Sequence, residues 1–180
     1  SSDEILKRVK EELDRLLEEN KRLLEEARKR LEDLIRKNRE DLKRVEEKMR
    51  RLLEETPEDK KLEEIRERLK RLKEENERLN DEARRRLEKL RKENEETNRR
   101  IEEEVRRLAE EVERLKREGT TEEVVRRLAE ELRRLIEEVK RKIEESERRL
   151  KETLDRYRKL VEDSLRKLEE TIRRVREESR

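Results

Sequence analysis

Asparagine returns along this chain at an interval of 18 residues, and that interval constrains the fold more than any other feature. Asn20 is followed by Asn38, Asn76 by Asn94 and Asn80 by Asn98, and Ser146 and Ser164 stand at the same spacing in the last third. Eighteen residues make five turns of an α-helix at 3.6 residues per turn, so both members of each pair point the same way. A heptad repeat drifts around a straight helix and imposes a left-handed supercoil, whereas a repeat of 18 need not drift. The apolar residues keep the same interval, as in Leu13, Leu31 and Met49, or Leu16, Leu34 and Leu52. The pattern predicts near-straight helices that carry polar residues at fixed points of an apolar stripe.

One proline and one glycine punctuate the chain near its thirds. Thr56-Pro57-Glu58-Asp59 reads as a helix start, with Thr56 as N-cap, Pro57 at the first helical position and acids in the first turn. Gly119 suits the left-handed position after a helix, and Thr120 with Glu123 forms a capping box for the next one. Ser1 and Glu4 offer the same box at the start. Three helices are therefore expected, over 3–55, 57–117 and 121–178, each about 80–90 Å long at 1.5 Å per residue. On an ideal wheel the apolar stripe is about 120° wide on the first, about 100° on the second and about 140° on the third.

Of the 180 residues 62% are charged and 27% hydrophobic, a balance that in other chains goes with disorder. Here 57 basic and 55 acidic residues nearly cancel, and the filler is Glu, Lys, Arg and Leu, all good helix formers. The expected class is all-α: one elongated, antiparallel up-down-up three-helix bundle or coiled coil occupying 1–180.

Short connections make successive helices antiparallel neighbours. Folding the chain at about residue 57 and again between 119 and 120 shows which residues share a level. Asn20 then faces Asn94, Asn38 faces Asn76, and Ser146 and Ser164 fall within one position of those levels. Two polar layers result: Asn20, Asn94, Asn98 and Ser146 in one, Asn38, Asn76, Asn80 and Ser164 in the other, about 27 Å apart along a helix. Asn20, Asn38, Asn76 and Asn94 sit at the centres of their stripes and are expected to be buried. Asn80, Asn98 and Thr97 lie towards the edges. Tyr157 lies near the level of Asn80, where its hydroxyl can join the second layer. Thr153 and Thr171 fit neither layer and are expected to bond to their own backbone four residues back. Buried amides gain little net stability but select one register, because sliding a helix sets each of them against leucine.

The residue inventory argues against several functions. Without His or Cys the usual nucleophile–base pairs and soft metal sites are missing, and the single glycine leaves no phosphate-binding loop. Acidic runs such as Glu102-Glu103-Glu104 fall on the solvated face, so no metal, cofactor or enzyme activity is expected. The basic clusters Arg84-Arg85-Arg86 and Arg99-Arg100 are flanked by acids, the net charge is +2, and Tyr157 is the only aromatic residue, so nucleic acid is not an expected partner. Membrane binding lacks bulky aromatic anchors, and no apolar run approaches spanning length. The start, Ser1-Ser2-Asp3-Glu4, lacks a signal-peptide pattern, so a soluble protein without a targeting signal is expected.

The repeats at 18 (Asn20/Asn38, Asn76/Asn94, Asn80/Asn98, Ser146/Ser164), the Leu/Ile/Val cores, the Glu/Lys/Arg surfaces and the two compact loop sequences resemble those of de novo designed, parametrically generated helical bundles with buried hydrogen-bond networks. The resemblance covers the whole chain. It implies an untwisted or weakly supercoiled, very stable scaffold without a natural biochemical function, needing no partner. Natural spectrin-like three-helix repeats are less similar, since they carry core aromatics and lack this regularity. The alternative reading is a subunit that completes a larger homo- or hetero-oligomeric bundle, by self-association or with a designed helical partner. The wide stripe of the third helix and doubled apolar pairs such as Leu23-Leu24 favour it.

Overall fold

A computed structural model describes residues 2–55, 59–119 and 122–178. They form three helices, α1 (Ser2–Glu55), α2 (Asp59–Arg117) and α3 (Glu122–Glu178), packed as an all-α three-helix bundle. No proline or glycine interrupts any of them, and their filler residues lose little rotamer freedom in a helix. The start signals at Thr56, Pro57 and Glu58, and both capping boxes (Ser1 with Glu4, Thr120 with Glu123), involve positions outside the described residues.

The end of α2 is described. Gly119 adopts φ 72°, and its N–H donates to the Lys116 carbonyl at 3.1 Å while Glu118 N–H donates to that of Arg114, also at 3.1 Å. An added Cβ at Gly119 would meet nothing within 4 Å, so a side chain there is opposed only by the left-handed backbone, at about 1 kcal/mol.

The chain divides into two compact units, each built from segments of all three helices. The first comprises Ser1–Glu26 and Glu88–Leu150. Its core is Leu6, Val9, Leu13 and Leu17 of α1, Ile101, Val105, Ala109 and Val112 of α2, and Val125, Leu132, Ile136, Val139 and Ile143 of α3. Each of the larger side chains in such a core contributes about 1.5–3 kcal/mol of burial. Leu16, Leu23, Leu108, Leu128 and Leu135 line its edges, half-buried. Here α2 and α3 run antiparallel, since Glu93 pairs with Arg149 while Asn94, further along α2, meets the earlier Ser146.

The second unit comprises Ala27–Leu87 and Lys151–Arg180. Leu42, Val45, Met49 and Leu52 of α1 pack there with Ile65 of α2 and with Leu168 and Ile172 of α3. Glu32, Arg39 and Glu46 pair in turn with Arg84, Glu77 and Lys73, a descending order that makes α1 and α2 antiparallel. Leu160, an apolar residue of α3, is 39% exposed, the one large apolar residue so open among those described. Its neighbour Tyr157 takes the core position, and Leu160 lies at the rim beside Leu79 and Ala83.

Candidate functional site: two buried polar layers

Among the described residues six polar side chains are buried, all of them asparagine or serine: Asn20, Asn38, Asn76, Asn80, Ser146 and Ser164. All but Asn80 have leucine, isoleucine or valine one turn away on the same helix, so the stripe carries the polar group inward with it.

The second unit holds the more connected layer. Asn38 of α1 donates through Nδ2 to Asn76 Oδ1 of α2 at 3.2 Å and, at a longer 3.5 Å, to Asn80 Oδ1 one turn further on. Tyr157 of α3 donates its hydroxyl to the same Asn80 Oδ1. Three helices are thereby joined through four side chains. Asn80, which the wheel sets towards the stripe edge, is wholly buried at 0% exposure, because the phenol reaches across from α3 and covers it. Burial pushes the Tyr157 phenol up to about 12, against smaller downward pulls from the Asn38 amide and from Arg39 and Arg84. Some polar capacity is left over: Asn38 Oδ1, Asn76 Nδ2, Asn80 Nδ2 and Ser164 Oγ are buried without a protein partner. Ser164 thus lies at the expected depth but makes no bond to the asparagines.

In the first unit, Asn94 donates to Ser146 Oγ, joining α2 to α3. Asn20 is buried at 2% exposure, yet its Oδ1 meets no donor. Asn94, expected at the centre of its stripe and therefore buried, is half-buried instead. Its amide turns to the serine hydroxyl on α3 and leaves the Asn20 oxygen unmatched. Asn98 and Thr97 are half-buried at the edge of α2. Thr171 Oγ1 donates to the Lys167 carbonyl at 2.9 Å, a bond to its own backbone four residues back. Thr153 is half-buried.

Sequence reasoning treated the surface charges as solvated filler, and some of them are more than that. Beside the second layer, Arg39 forks onto Glu77 with both bonds at 3.2 Å, and Arg84 onto Glu32 at 2.9 and 3.0 Å. The Arg84 guanidinium holds the Glu32 carboxyl below the usual carboxylate range, and Arg84 is itself raised by that bond. The clue in the sequence was adjacency, because residues 38 and 39 of α1 pair with 76 and 77 of α2. The other basic clusters are also engaged: Arg86 pairs with Glu82 at 3.1 Å and Arg100 with Glu96 at 2.8 Å.

Among the described residues no group of three or more acids is placed to hold a metal ion, and no helix is long and apolar enough to cross a membrane. Compared with protein-family models, curated proteins and solved structures, the chain matches none of them.

Proposed function

We propose that this chain is a designed structural scaffold, a helical bundle of coiled-coil type whose buried Asn, Ser and Tyr layers specify which helix faces which, and at what register. The observation that carries the reading is the set Asn38, Asn76, Asn80 and Tyr157, which draws side chains from all three helices into one hydrogen-bonded cluster. Such a cluster adds only about 1 kcal/mol net per bond, but a helix slid by one turn strands several buried amides at about 1–3 kcal/mol each. Its main yield is therefore selectivity rather than stability. The reading assigns no catalytic step, no cofactor and no obligatory partner.

The chain contains no cysteine, so a single pair can be introduced to report register. One cysteine on α1 and one on α2, at the level set by Asn38 and Asn76, should form a disulfide readily. A pair placed seven residues off that level should not. Asn38→Leu with Asn76→Leu should keep the helices folded and let the displaced pair cross-link. A displaced yield unchanged by the double substitution, in a folded protein, would falsify the register role.

One observation favours a second reading, a subunit of a helical assembly: Leu160 lies open beside the half-buried Leu79. Light scattering over a concentration series separates the two. A mass near 22.6 kDa throughout supports the self-contained scaffold, and a stable multiple supports the subunit.

A further inference from the structure

We infer that the exposed pairs Arg39–Glu77 and Glu32–Arg84 form a second register device in the second unit, acting on the same two helices as the buried amides but independently of them. Both pairs cross from α1 to α2, both are bidentate, and they bracket the level of Asn38 and Asn80. A fork of two parallel N–H···O bonds fixes position along the helix axis as well as distance. Apolar stripes lack that property, since leucine slid by one turn meets leucine again.

The flanking sequence turns this geometry into discrimination. Shifted by seven residues along α2, Arg39 meets Lys70 in one direction and Arg84 in the other. Shifted by three or four residues towards the start of α2, Glu32 meets Asp81 or Arg39 meets Lys73. At each of these slips at least one of the two pairs becomes a like-charge encounter, although Glu32 meets Arg91 at seven residues towards the end of α2 and Arg39 meets Glu74 at three towards its start. Specificity gained by penalising the wrong pairing does not require the right pairing to be strong. That matters here, because pairs whose side chains are about 40–50% exposed add little stability by themselves. Lys73 is already engaged with Glu46 in the native register, so a slip that brings Arg39 to it also costs that ion pair.

The device is tested where the amides cannot contribute. In the Asn38→Leu, Asn76→Leu background, Arg39→Glu with Arg84→Glu leaves four acids on the α1–α2 edge. The displaced cysteine pair should then cross-link roughly tenfold more often relative to the native pair. Adding Glu32→Arg and Glu77→Arg restores both pairs with their signs exchanged and, with the displaced cysteines set seven residues towards the end of α2, still leaves positions 39 and 84 alike in charge, so the ratio should return to its starting value or below. Strong salt should narrow the difference, since exposed charges are screened. A ratio that ignores the reversal overturns the inference, as does one that the full exchange fails to restore, for then the reversal acts only by loosening the helices. If the background variant does not fold, the same reversal and exchange are made with the asparagines intact, and the cross-linking ratio decides in the same way. Failure of the amide layer would appear separately, in the asparagine substitutions alone.

Discussion

In the second unit Asn38, Asn76, Asn80 and Tyr157 are joined across three helices, whereas among the described residues of the first only Asn94 and Ser146 of the layer are joined and the Asn20 oxygen is unmatched. The asparagines and serines of the two layers stand at the same interval, so they do not explain the difference. Applying that interval to the other positions does. Tyr157 corresponds to Val139, and Ala83, which lies beside Tyr157, corresponds to Ile101. The second unit sets a large phenol against a small alanine; the first divides similar volume between valine and isoleucine, both in its core. A polar layer between helices therefore depends on one side chain long enough to reach across and carrying a hydroxyl at its end. Without it, Asn98 stays half-buried where Asn80 is sealed.

Converting one unit to the other's solution is the most severe test. Tyr157→Val removes a buried ring beside Ala83 and should lower the unfolding free energy by about 3 kcal/mol, read from urea midpoints. Ala83→Ile in the same chain should recover much of that loss by refilling the volume, but not the hydroxyl donated to Asn80. If Tyr157→Val costs less than about 1 kcal/mol, the phenol does not occupy the core in the way large-to-small substitutions require.

The asparagines themselves should respond with opposite signs in the two units. Asn38→Leu removes the donor to Asn76 and leaves a buried amide unpaired, which should cost about 1–3 kcal/mol. Asn20→Leu removes an oxygen that meets no donor, and should raise stability by about 1 kcal/mol. Asn38→Leu with Asn76→Leu should fall near zero or above, because both halves of the bond leave together. Equal losses from Asn38→Leu and Asn20→Leu in thermal or urea unfolding would show the two layers to be alike.

Tyr157→Phe isolates the hydroxyl, at about 1 kcal/mol near neutral pH. Its pH dependence has a fixed sign. The phenol titrates near 10 when the chain is unfolded and near 12 when folded, so above the lower value the unfolded state binds fewer protons and stability falls. The advantage of the parent over Tyr157→Phe should be complete below about pH 10 and shrink as the pH rises towards 12. Because Tyr157 is the only aromatic residue, tyrosinate absorbance reports the same titration without overlap.

The helices and the approximate level of each polar residue were legible in the sequence, because an interval of five turns preserves direction and the helix connections are short. The 18-residue repeat placed Asn38 opposite Asn76 and Ser146 near Asn94. It could not show which lone pair meets which N–H, since that depends on rotamers and on volumes supplied by other helices. Asn80 illustrates this: its angular position on α2 put it at an edge, and a side chain from α3 buried it. Leu160 shows the reverse, an apolar residue within a wide stripe left open because Tyr157 took the inward place. The forks beside the layer were hidden by abundance, for among so many Glu and Arg no pair announces itself until the register is known.

The smallest effect tests those forks. Glu32→Gln removes the charge that Arg84 grips, and at this exposure should cost no more than about 0.5 kcal/mol at neutral pH. The folded Glu32 carboxyl lies below its ordinary 4.5, so its contribution is present above that value and lost as the pH falls through the folded one. The parent and Glu32→Gln should therefore converge in acid, and also in strong salt. In the first unit the α2–α3 contact of Glu93 with Arg149 spans 3.8 Å, longer than either bond of the Arg84 fork, so Glu93→Gln should move stability less. A larger loss from Glu93→Gln than from Glu32→Gln would mean that the shorter bonds of the fork confer no advantage on a half-exposed ion pair. The contrast between the units would then rest on Tyr157 and Ala83 alone.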